Sequence, residues 1–190
     1  MSCEENGILT SKDITRLGIH RSALQELVES GEYYRAARGI YVKSDEWEDD
    51  FAVLQKRLPK GIYSHSTALY LHGMSDRTPF AYHMTFPKGY NTPALKELNI
   101  IVTRVIPENY SLGITEVKSP AGSNVKVYDI ERCLCDIVRG IGHEFIDIQI
   151  VHSAMRSYAA SGSKDINKLM SYAAKLRVEP KIRRYMEVLL

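Results

Sequence analysis

Two small groups of residues near the start of the chain carry side chains suited to nucleic-acid chemistry. Arg21, Ser22 and Gln25 form the first, and Arg35, Arg38 and Lys43 the second. An arginine fork matches the paired acceptors of guanine, and a glutamine amide matches the donor and acceptor edge of adenine. Such groups read bases when they sit in the first turn of a helix laid in the major groove. Long cations on a hairpin reach phosphates or the minor groove instead. The chemistry therefore requires a helix followed by a small basic hairpin.

The surrounding pattern supplies both. Thr10 or Ser11 can cap a short helix, with Asp13 near its positive end. Ile14 and Leu17 are expected to face inward beside Leu9 and Ile19, and Gly18 to end the helix. A second helix is expected over about 20–30, with Leu24, Leu27 and Val28 as its apolar face and Gly31 as its stop. Glu26 and Glu29 are expected to point away from any phosphate. Tyr34-Arg35 and Ile40-Tyr41-Val42 read as short strands joined by the turn Arg38-Gly39. Residues 1–7 are polar and read as loose or as a stunted first helix. The order helix, turn, helix, hairpin is that of a winged helix-turn-helix, with a protein-binding winged module as the alternative. From Lys12 to Lys43 there are six Lys or Arg against four Asp or Glu, a weakly basic field.

Beyond the hairpin the charge reverses. Asp45 to Asp50 is acidic around Trp47, and Trp47, Phe51, Leu54 and Leu58 are spaced as one face of a helix that closes the small core. Pro59-Lys60-Gly61 reads as a boundary, giving a first domain over 1–60 and a second over 61–190. In the second, Ser64 can cap a helix that runs to His72. Strands are expected over 82–86, 99–105, 114–117 and 125–128. Thr92-Pro93 can open a short helix with Pro at its first position. Asp129 is a good cap for a helix to Arg139, with Ile130, Leu134, Ile137 and Val138 as an inward stripe, Cys133 and Cys135 as small fillers, and Asp136 paired with Arg132 and Arg139. Further helices are expected over about 145–160, from Ser163 or Asp165 to 174, and from Pro180 onward. The fold class is α+β: a winged helix-turn-helix, then a mixed α/β domain with a helical end.

Other residues invite chemistry less well. His65 and His72, seven apart, share a helix face without a third ligand, and His143 with Asp147 makes only two ligands. Ser64, His65 and Ser66 could meet a phosphate at a helix start. Lys88, Arg104, Lys181, Arg183 and Arg184 are candidates for a second DNA or partner surface; residues 164–190 hold seven Lys or Arg against three acids. Phosphate-loop, dinucleotide, HExxH, GxSxG and CxxC patterns are absent, so a non-enzyme without metal or cofactor is the expectation. Composition sets the remaining bounds. The chain has 190 residues, 44% hydrophobic, with net charge +2. Three cysteines form no disulfide framework, no signal-peptide pattern opens the chain, and no apolar run is long enough to span a membrane, which together suggest the cytoplasm.

The ordered motifs resemble a known family. Residues 7–42, GILTSKDITRLGIHRSALQELVESGEYYRAARGIYV, resemble the N-terminal domain of AbiEi-type antitoxins of bacterial abortive-infection, type IV toxin-antitoxin systems. Arg35, Arg38, Gly39 and Tyr41 match the R…RGxY pattern of the wing. Residues 63–73, 82–87 and 128–136 resemble the opening helix, following strand and "ERTLxD" helix of the family's C-terminal domain. The resemblance implies an N-terminal domain that binds inverted repeats in its own promoter and represses the operon. It also implies a C-terminal antitoxin domain that neutralises a nucleotidyltransferase-like toxin, with no stable complex required. Two departures bear on operator affinity: a short start relative to the family's first helix, and Ala36-Ala37 in the wing together with two acids in the second helix. A winged regulator without a toxin partner is the alternative, and a small metal-dependent hydrolase a third.

Overall fold

The computed structural model describes residues 7–45, 49–91, 93–142 and 146–189, excluding the side chains of Arg21, Ala94 and Lys96. Trp47, Thr92 and the His143-Glu144-Phe145 stretch of the sequence reading, as well as the Arg21 side chain, lie outside the described residues. The chain divides into two compact units, Met1–Pro59 with Lys118–Val125, and Lys60–Val117 with Lys126–Leu190. The architecture is α+β. Helices and strands alternate in an N-terminal region whose order is consistent with a winged helix-turn-helix, and the chain closes in helices.

The first unit begins with a strand that the sequence reading did not anticipate, β1 (Ile8–Thr10), followed by α1 (Ser11–Arg16), α2 (Arg21–Glu29), β2 (Tyr33–Ala37), β3 (Ile40–Lys43) and α3 (Asp50–Arg57). The sheet order is β1-β3-β2, with both pairs antiparallel. Because β1 adds to β3, Ile8 and Leu9 are buried with Ile40 and Val42. Thr10 caps α1 in a reciprocal box. Its hydroxyl accepts from the Asp13 amide at 3.2 Å, while the Asp13 carboxylate accepts from the Thr10 amide at 3.0 Å. Ile14 is buried as expected, but Leu17 is 46% exposed. It is the residue just past the helix end, where the chain turns at Gly18, and the turn carries it out of the inward stripe. Leu24 of α2 is buried, and Leu27 and Val28 are half-buried. Phe51, Leu54 and Leu58 close the core from α3, whose first turn is capped by Asp49. Asp49 also accepts a short hydrogen bond from Ser119.

The second unit holds β4 (Ile62–Tyr63), α4 (His65–Leu71), β5 (Tyr82–Pro87), α5 (Ala94–Glu97), β6 (Ile100–Val105), α6 (Pro107–Tyr110), β7 (Ile114–Lys118), β8 (Asn124–Tyr128), α7 (Ile130–Arg139), α8 (Ile148–Ala160), α9 (Ile166–Lys175) and α10 (Glu179–Leu189). The five-stranded sheet runs β6-β5-β4-β8-β7, with β4 antiparallel to β5 and parallel to β8, and β5 parallel to β6. Pro93 occupies the cap position of α5 and not its first helical position. Ser64 occupies the cap position of α4 but makes no capping bond; its buried hydroxyl accepts from Thr85 Oγ1 at 2.9 Å. α8 starts later than the apolar pattern suggests, because Asp147 caps it and accepts from the Gln149 amide.

α7 is the hub of this unit. It packs against α4, α8, α9 and α10, so every residue from Glu131 to Val138 is buried. The expected stripe is thus one face of a helix surrounded on all sides. Cys133 and Cys135 are both fully buried, and burial pushes the first thiol up and the second up to about 12.

Candidate nucleic-acid interface

The exposed groups of α2 and of the β2–β3 hairpin define the site. His20 stands at the α2 cap position, and its Nδ1 lies 2.8 Å from Ser22 Oγ. Gln25 is exposed and donates from Nε2 to Glu29 Oε1 at 2.9 Å. Glu29 therefore shares Gln25's face of the helix, contrary to the expectation that it points elsewhere. The spacing of four residues that joins Gln25 to Glu29 also places Glu26 below Ser22. A base edge that takes the Gln25 amide must displace a carboxylate from it.

The hairpin is shaped by two backbone features. Arg35 pairs with Tyr41 and Ala37 with Ile40, so Ala36 is an extra residue that bulges from β2. Gly39 has φ +75°, the left-handed region that side chains disfavour. Its carbonyl also accepts from the Ser11 amide at 2.9 Å, and a Cβ there would come within 2.7 Å of Ser11 Oγ. Gly39 thus serves the turn and the seating of α1 at once. Arg35 and Arg38 are exposed and have no acidic partner among the described residues. Lys43 differs: it is half-buried, its ammonium lies 3.3 Å from Asp45, and its partner in the ladder is Tyr33 at the open end of the hairpin. Three residues of strand separate it from Gly39, roughly 13 Å along the chain.

Gln25 and Arg35 line one cleft, of about 630 Å³, with Ile14, Leu24 and Tyr41 among its walls. Both predicted groups therefore meet at this cleft through one member each, while Arg38 stands at the hairpin turn. Asp13 of α1 is bonded to Thr10 and Arg16. Burial works to raise its pKa, but the hydrogen bonds from Thr10 and the charges of Lys56 and Arg16 prevail and hold it below 3.8.

In the second unit the candidate residues fall apart. Lys88 and Arg104 sit at neighbouring ends of β5 and β6, where the Lys88 amide donates to the Val105 carbonyl at 2.7 Å and Arg104 Nε to the Tyr90 carbonyl at 3.3 Å. Lys181, Arg183 and Arg184 lie on α10, and Arg183 is paired with Glu179 at 2.7 Å. Arg139 is exposed and takes no part in the Asp136 pair that the sequence suggested. Arg132 does: it is fully buried, donates from Nε to Asp136 at 2.9 Å and from Nη1 to the Asn109 and Leu112 carbonyls, and lies 4.5 Å from the Tyr128 ring centre.

Among the described residues the histidines do not form a ligand set. His72 Nε2 lies 2.8 Å from the Tyr128 carbonyl oxygen. His65, at φ +51°, is buried against His83, with ring centres 5.0 Å apart. Burial lowers the pKa of His65, and burial followed by the charge of His65 lowers that of His83 to about 3. Ser64 is buried and Ser66 is bonded to His83 Nδ1 at 2.9 Å, so the proposed phosphate contact at this helix start has no free hydroxyl pair to make it. Asp147 caps α8 and pairs with Arg77 at 3.2 Å. Among the described residues no group of three or more His, Cys, Asp or Glu is placed to hold a metal ion, and no helix is long and apolar enough to cross a membrane.

Comparison with known proteins addresses the same N-terminal region. A family model described as "Transcriptional regulator, AbiEi antitoxin" matches residues 4–42, which hold β1, α1, α2, β2 and most of β3. No curated protein matches the chain. Among solved structures, the chain is similar to the RV2827C protein from Mycobacterium tuberculosis, with a TM-score of 0.51 and 14% identity over 95% of this chain and 75% of that one. At that identity the likeness concerns the fold. The family match is confined to the N-terminal segment and carries a likeness to antitoxin-type regulators.

Proposed function

We propose that the chain is a sequence-specific DNA-binding antitoxin that represses its own operon and neutralises a nucleotidyltransferase-like toxin. The observation that carries this reading is the coincidence of the family match over 4–42 with a helix, turn, helix and hairpin unit bearing two uncommitted arginines. In this reading α2 is the recognition helix and β2–β3 the wing, and the order β1-β3-β2 is that of a winged sheet. Arg21, Ser22 and Gln25 face base edges, while Arg35 and Arg38 take phosphates or the minor groove. Lys43, tied to Asp45 at the open end of the hairpin, is a lesser contact. The unit formed mainly by residues 60–190 carries the antitoxin activity, and the partner DNA is an inverted repeat upstream of the gene.

One experiment with two arms tests the whole. Purified full-length chain is titrated onto duplex DNA from its own upstream region, and the same chain is coexpressed with the neighbouring toxin. Specific retardation and restored growth are expected. Binding without rescue would leave a winged regulator with no toxin partner; rescue without binding would remove the repressor half of the proposal.

A further inference from the structure

A groove of about 420 Å³ lies between α8 and α10 in the second unit, and Lys181 and Arg184 of the suggested second surface are on it. Its floor is apolar, formed by Ile141, Tyr185 and Val188, and Val188 is 81% exposed. Its rim is cationic, formed by Arg156 of α8 and Lys181 and Arg184 of α10, all three exposed. Helical spacing explains the arrangement. Residues 181, 184, 185 and 188 follow one another at three or four positions and share a face. The α10 acids, Glu179 and Glu187, fall with Arg183 on another face, and Glu179 is spent on Arg183. α8 contains no acid at all, and neither does α9. Arg156, Lys181 and Arg184 have no acidic partner among the described residues. His152 packs edge-on against Tyr185, with ring centres 5.8 Å apart, and holds one wall of the slot.

An exposed valine on the floor of an apolar slot, rimmed by three cations that have no acidic partner among the described residues, is complementary to one kind of surface. We infer that the groove between α8 and α10 docks an acidic amphipathic helix of a partner protein, its apolar residues in the slot and its carboxylates on Arg156, Lys181 and Arg184. Ile141 and Val188, the two aliphatic residues of the floor, favour a peptide side chain over a nucleic acid, which would meet the cations through phosphates and Tyr185 by stacking and leave Val188 uncovered. This contact is independent of the N-terminal DNA reading and assigns Lys181 and Arg184 to a protein partner.

The test uses the full chain and a labelled helical peptide of Leu, Glu and Ala, with leucines at i, i+3, i+4 and i+7 and glutamates opposite. Fluorescence anisotropy should report saturable binding in the micromolar range that weakens as salt is raised. A peptide of the same composition with scattered leucines should bind far less. The double variant K181E/R184E should weaken binding by about tenfold or more, and V188E should do the same from the apolar side. These positions are exposed, and an unchanged circular dichroism spectrum and unfolding midpoint verify the fold of each variant. Equal binding of the two peptides would overturn the inference, since charge alone would then suffice. So would absence of peptide binding together with loss of DNA affinity in K181E/R184E, which would make the face a nucleic-acid surface. Concentration-dependent dimers that vanish in V188E, without peptide binding, would equally overturn it in favour of a second copy.

Discussion

Arg35 and Arg38 of the β2–β3 hairpin and Arg132 of α7 are the same residue type put to opposite uses. Arg132 is fully buried, bonded to Asp136 and to the carbonyls of Asn109 and Leu112, and laid against Tyr128. Around it, Lys168 spans Asp129 at 3.1 Å and Glu131 at 2.9 Å, and Tyr158 donates to Glu131 at 3.1 Å. Burial opposes the charge on Lys168, but the hydrogen bonds to Glu131 and Asp129 prevail and raise its pKa. The hairpin arginines are exposed and hold no acid among the described residues. A buried cation must be paired or the fold suffers, whereas an exposed unpaired one contributes little to stability and is free to meet a ligand. The difference separates residues that hold the second unit together from those that can act outward from the first.

The sharpest break of that contrast is Arg132→Ala. It leaves Asp136 buried without its partner and opens a void beside Tyr128, and should cost about 3–5 kcal/mol in urea unfolding. The joint replacement Arg132→Met with Asp136→Leu should lose much less than the sum of the single variants, because no charge is then left alone. A loss of under about 1 kcal/mol in Arg132→Ala, the scale of an exposed pair, would erase the contrast.

Next in size comes an acid effect from the buried histidines. Burial, and after it the charge of His65, lowers the pKa of His83 in the fold from 6.5 to about 3. Below pH 6.5 the unfolded chain therefore binds a proton that the fold refuses. The stability contributed by a neutral His83 is complete above pH 6.5 and declines toward pH 3, by at most about 1.4 kcal/mol per pH unit. His65 acts in the same direction. The urea midpoint of the wild type should fall between pH 6.5 and about 4.5, above the ordinary carboxylate range, and His83→Gln should flatten that fall. An identical slope in both proteins would remove His83 from the account.

What was legible in the sequence follows from how local each cause is. Thr10 and Asp129 cap their helices because a cap needs only its own turn. The hairpin is legible because Arg38-Gly39 lies between two short apolar runs. β1 was missed because three residues give no period, and their order comes from β3, thirty residues on. β4 was missed for the same reason: it has two residues, yet it is the middle strand of its sheet. The burial of Arg132 could not be read, since its partners include carbonyls at 109 and 112, in α6 and the turn after it, which α7 meets only in space. At the candidate interface the residue types were legible and their company was not. Spacing named Gln25, but it did not say that Glu29 takes its amide, or that Gln25 and Arg35 face one cleft.

A smaller effect on stability is expected at Gly39. Gly39→Ala imposes a side chain at φ +75° and against Ser11 Oγ, and should cost about 1–2 kcal/mol. Thr10→Ala, which removes half of the reciprocal cap, should cost about 1 kcal/mol. Both are read by thermal unfolding of the full chain. If the hairpin is a wing on DNA, the Gly39 variant should also weaken DNA binding, because Gly39 shapes the turn between the hairpin strands, while the Thr10 variant should do so only through lost stability.

The smallest effect on stability belongs to the residues with the largest proposed role. Arg35→Ala and Arg38→Ala should each shift unfolding by no more than about 0.5 kcal/mol, as exposed positions do. If the hairpin is a wing on phosphate, each should lower operator affinity and reduce the slope of log affinity against log salt by roughly 0.9. Ser22→Ala and Gln25→Ala should leave the slope unchanged and instead blur the preference for operator over random duplex. A Glu29→Gln variant sharpens this further. It keeps the geometry at Gln25 while removing a negative charge from the face that would meet DNA, so affinity should rise at low salt. An arginine variant that unfolds readily would put the hairpin arginines in the same structural category as Arg132, and one that leaves both affinity and slope intact would remove them from the DNA reading.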